Sequence, residues 1–248
     1  MADSKPRVAL VTGAGGGIGG AIVRHLAEAG YSVAAADLDE AAAVAVAKGL
    51  PTPSVGVGVD ISDSAAVAAA VARVEAELGP VDVLVNNAGI DRIEPFVQST
   101  EDTWRKVVDV NYLGTVIVTR AVLDGMVERG FGRIIHIASD AGRVGSSGEV
   151  VYSGTKGAMI AFGKALAREV ATKGVTVNTV CPGPTDTPLL KQVSDLSEKM
   201  FEAMRRAVPM KRIGTPDDVA PAVVFFASEG AAFITGQTLS VSGGLTMA

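Results

Sequence analysis

Val8-Ala-Leu-Val-Thr-Gly-Ala-Gly-Gly-Gly-Ile-Gly19 is the stretch that decides how this chain folds. A short apolar β-like run, Val8–Val11, leads straight into Thr12 and a glycine-rich turn, and a helical pattern opens at Gly17. Gly13, Gly17 and Gly19 keep the spacing GxxxGxG around Ile18. Glycines at these positions permit a tight strand-to-helix turn. They also let backbone N–H groups, and the positive end of a helix, come close to a pyrophosphate.

Outward from this turn the same rhythm continues to the end of the chain. Val8–Val11, Ser32–Ala36, Ser54–Val59, Val81–Val85, Arg133–Ala138, Val175–Val180 and Thr238–Val241 read as seven strands. Helical patterns fall near Gly17–Ala29, Glu40–Lys48, Asp63–Leu78, Thr100–Arg129, Gly148–Thr172 and Pro216–Ser228. Gly30 and Gly79-Pro80 have the chemistry of helix ends, Ser62-Asp63 and Thr215-Pro216 that of helix starts. Such alternation implies right-handed βαβ crossovers. The expected fold class is α/β: a single doubly wound Rossmann-type domain over residues 1–248, its seven-stranded parallel sheet covered by helices on both faces. One segment breaks the rhythm. Residues 185–212, beside Pro184 and holding Pro188 and Pro209, read as a long irregular excursion and hence a substrate lid.

Bulk properties remove several function classes. The chain has 248 residues, of which 48% are hydrophobic and only 4% aromatic, so small aliphatic side chains must pack the sheet. Net charge is −5 and no run of lysine and arginine occurs, which argues against nucleic acid as a partner. The lone Cys181 rules out an internal disulfide and reads as a small buried hydrophobe. His25 and His136 have no partner at ligand spacing, so no metal is expected. No apolar stretch looks close to the ~20 residues that span a bilayer, and Met1–Arg7 lacks an apolar signal core. No membrane and a cytoplasmic location are the expectation.

Beyond the glycine turn, acidic residues end the next strands. Asp37 can accept both hydroxyls of an adenosine ribose and would repel a 2′-phosphate. Leu38 follows it and positions 13–19 hold no arginine, so NAD is favoured over NADP. Asp60, followed by Ile61, either accepts from an adenine amine or caps the helix that begins at Asp63. In Asn86-Asn-Ala-Gly89 an asparagine can join neighbouring strand ends, while Ala88-Gly89 lets the chain pass near a ribose.

Tyr152 and Lys156 stand one helical turn apart, so phenol and ammonium should emerge on one face. A cation beside the phenol favours phenolate and lowers the tyrosine pKa towards the range of a general base. Ser139 ends an apolar run thirteen residues upstream of Tyr152 and would offer a hydroxyl to a substrate oxygen.

Together these residues resemble the short-chain dehydrogenase/reductase family over the whole chain. Thr12–Gly19 matches its glycine motif, Asn86–Gly89 its second motif, and Asn111, Ser139, Tyr152 and Lys156 its catalytic set in order and spacing. The resemblance implies that Tyr152 transfers a proton, Ser139 orients the substrate oxygen and Lys156 binds nicotinamide ribose. It further implies that Asn111 positions a water leading from Lys156 to solvent. Thr12, Asn87, Ala88, Pro182, Gly183, Thr185 and Thr187 would join the cofactor contacts. Family members usually form homotetramers through helices matching Thr100–Arg129 and Gly148–Thr172.

A narrower resemblance, to 2-hydroxycyclohexanecarboxyl-CoA dehydrogenases of aromatic acid degradation, lies in Ala138–Glu149, Cys181–Thr187 and Ile234–Met247. It implies NAD-linked oxidation of a β-hydroxyacyl-CoA, a small-molecule substrate. Other readings are a 3-oxoacyl thioester reductase, a dehydrogenase of simple cyclic or secondary alcohols, and an inactive NAD(H)-binding regulator. The 3-oxoacyl reductases usually employ NADPH with a basic residue in the glycine loop, where this chain has Gly15 and Gly16. Asp140, Arg143, Glu149 and Asp91 are expected near the mouth of the site. Arg143 pairs with a carboxylate or a CoA phosphate, or else with Asp140. Glu149 either faces the substrate or caps the helix that carries Tyr152. Lys191, Lys199, Arg205, Arg206, Lys211 and Arg212 would give the lid a basic face, and Met200, Phe201 and Met204 an apolar one.

Overall fold

Val8–Thr12 (β1) and Val81–Asn86 (β4) lie side by side at the centre of a seven-stranded sheet. The computed structural model describes residues 6–191 and 197–247; part of the 185–212 segment and most of the amino-terminal heptapeptide therefore lie outside the described residues. The other strands are Ser32–Asp37 (β2), Ser54–Gly58 (β3), Gly132–Ile137 (β5), Val175–Pro182 (β6) and Thr238–Val241 (β7). All pairings are parallel, in the order β3-β2-β1-β4-β5-β6-β7. The order reverses between β1 and β4. A crevice at the carboxyl ends of strands on either side of such a switch is where ligands bind in open α/β sheets.

Strand residues alternate between two cores. Val8, Leu10, Ile134 and Val177 pack beneath Ser64–Glu77 (α3), Gly114–Arg129 (α5) and Val150–Val170 (α7). Ala9, Val11, Ile135 and Val180 pack beneath Gly17–Glu28 (α1), Glu40–Ala47 (α2) and Pro216–Ala227 (α9). Burial on both sides explains why these strands read as continuous apolar runs. Helix starts follow local chemistry. Asp63 accepts N–H bonds from Ala65 and Ala66, and Thr215 forms a capping box with Asp218.

Two expectations change. The helical pattern over 100–129 holds but has an irregular middle: Glu101–Val108 (α4) and α5 run on as one helix through a π-turn, Asp109–Leu113. By length and composition, Glu101–Arg129 is apolar enough to cross a membrane, which the sequence had not suggested. It packs instead as a core helix, burying Val107, Asn111, Thr115, Val118, Val122 and Met126. Nor is 185–212 wholly irregular. After Ser197, whose hydroxyl accepts the N–H of Met200, Glu198–Ala207 (α8) is helical. A one-turn helix, Ala141–Val144 (α6), sits between β5 and α7.

Candidate active site

The carboxyl ends of β1, β2, β4, β5 and β6 open into one cleft of about 1390 Å³. At one end lies the glycine turn. Gly13 has φ +64, and a Cβ there would stand 2.7 Å from the Ala88 Cα; on Gly19 it would stand 2.0 Å from the Gly13 carbonyl oxygen. Only glycine fits at these two positions. Thr12 does not reach the cleft. It is buried behind the turn, its Oγ1 accepting N–H bonds from Asn87 and Ala88, both at 3.1 Å. Asn87 returns the tie by donating Nδ2–H to the carbonyls of Thr12 (3.0 Å) and Gly13 (2.9 Å). Asn86 points the other way, to Thr119 and the buried His136.

Asp37 meets the turn directly. Its Oδ2 accepts the Gly15 N–H at 2.8 Å, and Oδ1 accepts that of Asp39 at 3.0 Å. Asp39, not Asp37, caps α2. Likewise Asp63 caps α3, which leaves Asp60 facing the cleft with its Oδ1 held by Ser62. Those two hydrogen bonds hold the Asp60 carboxyl below its ordinary range. Gly17, Ile18, Leu38, Ile61, Ala88, Gly89, Pro182, Gly183, Thr185 and Thr187 line the same cleft.

At the other end Ser139, Tyr152 and Lys156 converge. α7 carries Tyr152 and Lys156, and the end of β5 presents Ser139, whose Oγ accepts the Ala141 N–H at 3.1 Å and whose hydroxyl favours ionisation of Tyr152. Lys156 Nζ lies 5.5 Å from the Tyr152 ring centroid and donates to the Ile137 carbonyl at 2.9 Å. Burial lowers the Lys156 pKa to about 8. The Tyr152 pKa runs opposite to the expectation. Burial, then the negative charges of Glu149 and Asp91, raise it above its ordinary value of 10.0, and the Ser139 hydroxyl only partly offsets them. Desolvation of the phenol wins because the neighbouring ammonium is itself desolvated and aimed at a carbonyl.

Asn111 is wholly buried in the π-turn, at the root of the site rather than on its wall. Its Oδ1 accepts the Ile90 N–H (2.8 Å), and its Nδ2 donates to the Ile90 carbonyl (2.9 Å) and to Thr155 (3.2 Å). π-turns recur where a helix must accommodate a functional side chain.

Residues 13–246 match the family described as enoyl-(acyl carrier protein) reductase. The chain is 45% identical over 240 residues to the acetoacetyl-CoA reductase of Rhizobium meliloti, which covers 96% of this chain and 98% of the relative. It is 40% identical over 241 residues to a 3-oxoacyl-[acyl-carrier-protein] reductase of Vibrio cholerae (97% and 98% covered) and 44% identical over 243 to nodulation protein G of Azospirillum brasilense (96% and 98%). The chain belongs to the short-chain dehydrogenase/reductase family.

As a short-chain dehydrogenase/reductase it is an oxidoreductase acting on CH–OH groups, and its fold binds a nicotinamide cofactor. Two of these relatives are named as reductases of acetoacetyl-CoA and of 3-oxoacyl-[acyl-carrier-protein], and they do not carry the narrower resemblance to 2-hydroxycyclohexanecarboxyl-CoA dehydrogenases. One of the expected substrate contacts also takes another place. Arg143 lies off the cleft, donating to Ser240 at 2.8 Å, and Ser240 donates in turn to Asp140. The bond is structural, joining the Ser139 loop to β7. Asp140 is buried, although it borders the cleft. Glu149 takes the N-cap position of α7 without any side-chain capping bond, and lines the cleft instead.

Half of the basic residues expected to face outward from 185–212 are held in ion pairs. Arg205 and Arg206 pair with Glu202, and Arg212 pairs with Asp218. Met200 and Met204 do line the cleft, whereas Phe201 does not. Sequence reasoning passed over Thr155, the partner of Asn111, and Gly15, whose N–H fixes Asp37. Neither role has a local signature.

Proposed function

We propose that this chain interconverts 3-oxoacyl and 3-hydroxyacyl thioesters using NAD(H). The observation that carries the reading is the convergence of Ser139, Tyr152 and Lys156 in the cleft whose far end holds the glycine turn and Asp37. The turn suits a pyrophosphate, since Cβ atoms on Gly13 and Gly19 would fill the space where the backbone must approach closely. Asp37 supports NAD over NADP: its carboxylate stands beside the turn, and Leu38 is 75% exposed with no cation to offer a 2′-phosphate. When bound, the nicotinamide supplies or accepts the hydride.

In this reading Ser139 donates a hydrogen bond to the substrate's 3-oxygen and Tyr152 delivers the proton. Burial and nearby carboxylates keep that proton on Tyr152 at neutral pH, which suits carbonyl reduction. Lys156 holds cofactor ribose, and Asn111 fixes the Ile90 segment beside it. Segment 185–212 acts as a lid over the acyl group through Met200 and Met204. Exposed apolar side chains beside α4, α5 and α7 (Val97, Leu113, Val150) support self-association, in keeping with a homotetramer. The 2-hydroxycyclohexanecarboxyl-CoA reading is the same reaction on a ring, and the adaptable Met200 and Met204 favour it as the second choice.

Initial rates with acetoacetyl-CoA, using NADH and NADPH, test the proposal. NADH is expected to lead in kcat/KM by at least about tenfold, from repulsion between Asp37 and a 2′-phosphate. Assayed in the oxidative direction, a preference for free cyclohexanols over every hydroxyacyl-CoA would defeat the thioester reading. A preference for NADPH would defeat the cofactor reading.

A further inference from the structure

Beside Tyr152, on the side away from the glycine turn, a small cavity is walled by Asp91, Arg92, Glu94, Thr103, Trp104 and Glu149. Glu149 and Tyr152 belong to both this cavity and the main cleft. Asp91 Oδ1 accepts the Arg92 N–H at 2.7 Å, while Oδ2 is shielded from solvent and receives no donor. Glu149 offers none when ionised, and it makes no capping bond with α7. Two carboxylates cannot both stay charged at such a place without cost, but one proton between them satisfies both. The remaining negative charge sits at the amino end of α7, where a helix favours it.

We propose that Asp91 and Glu149 share one proton as a carboxylic acid–carboxylate pair, and that its negative charge makes the site accept a neutral acyl ester and reject the free oxo acid. The inference rests on the oxoacyl reading above. In a 3-oxoacyl group, C1 lies two carbons from the carbonyl that Tyr152 protonates, so a carboxylate at C1 would enter next to the pair. A thioester at C1 carries no charge and can accept the shared proton as a hydrogen bond. Asp91 positions Glu149, and Glu149 meets the substrate.

The charged or titratable groups facing the pair are Tyr152 and Lys156 from α7, with Glu94 and Arg92 from the loop of Asp91. Lys156 is directed to the Ile137 carbonyl. Arg92 is mostly exposed and bonds Glu94 at 3.2 Å. From α4 the cavity receives Thr103, Trp104 and Val107, none of which titrates. Burial first, and Glu149 second, push the Asp91 carboxyl up to about 7. Below that pH the pair carries one negative charge and above it two, so rejection of anions must strengthen as pH rises.

Trp104, the chain's single tryptophan, reports on the pair from the wall of the same cavity. Its fluorescence in the full-length protein is expected to titrate with a midpoint near 7. In Asp91→Asn that transition is expected to vanish, and in Glu149→Gln to leave the region near 7 for lower pH. Persistence in both variants overturns the shared proton. Specificity is read with methyl acetoacetate and acetoacetate, near-isosteres that differ in charge, using NADH at pH 6 and pH 8. The wild-type preference for the ester should grow with pH, whereas in each variant it should fall at least about tenfold and lose its pH dependence. A ratio within about twofold of wild type in both variants overturns the specificity role. If wild type turns over no oxoacyl compound at all, the functional reading fails; the fluorescence titration still decides the pair.

Discussion

The two ends of the cleft are made of different materials. The cofactor end is mostly main chain: glycines that exclude any Cβ, and N–H groups bonded to Asp37, Thr12 and the carbonyls around them. The substrate end is side chains brought from distant elements, with Ser139 from the end of β5, Tyr152 and Lys156 from α7, and Glu149 from the N-cap of that helix. Main-chain sites are set by a local turn and tolerate little change. Side-chain sites depend on how elements pack, so chemistry and selectivity can be altered there while the nucleotide end stays intact.

The largest test of that division is Tyr152→Phe. Loss of the proton donor should lower kcat by about 10²–10⁴-fold while NADH affinity, measured by fluorescence titration, changes by less than about threefold. A comparable fall in both quantities would mean that the two ends are not separable. Next in size, Asp37→Ala combined with Leu38→Arg should raise the kcat/KM ratio of NADPH to NADH by about a hundredfold and leave discrimination between acyl substrates alone. An unchanged ratio would remove Asp37 from the ribose.

The smallest effect concerns what lies behind both ends. His136 is buried, and burial chiefly, with Lys156 second, depresses its pKa from 6.5 to about 4. The unfolded chain therefore binds a proton at higher pH than the folded one does. Stability from this residue is fully present above about 6.5 and is lost as pH falls through about 4. Denaturant midpoints for wild type and His136→Gln between pH 7.5 and 4.5 should converge on the acid side. The wild type should give up on the order of 1 kcal/mol per pH unit that the variant keeps. Parallel curves would show that His136 takes up its proton at the same pH in the folded and the unfolded chain.

The same contrast explains what the sequence disclosed. Gly13, Gly17, Gly19 and Asp37 were legible because a turn and the strand after it announce themselves within about 25 residues. Tyr152 and Lys156 were legible through helical spacing. Arg143 was not, since its partner Ser240 lies 97 residues away. Glu149 offered two local readings, and only its place in the fold, lining the cleft without a capping bond, separates them. The π-turn was hidden because residues 100–129 keep a helical composition throughout. The direction of the Tyr152 shift was hidden for another reason. Spacing reveals that an ammonium is near, but not how far both groups are removed from water.

Asn111 gives both the N–H and the C=O of Ile90 a partner, as another peptide group would. An amide supplied by a helix thereby ties down the main chain four residues past the end of β4. The chain at Gly89, Ile90 and Asp91 is ordered before any ligand arrives. A substrate docking against it gives up little backbone freedom on that wall, and the entropy lost on binding falls mainly on the substrate.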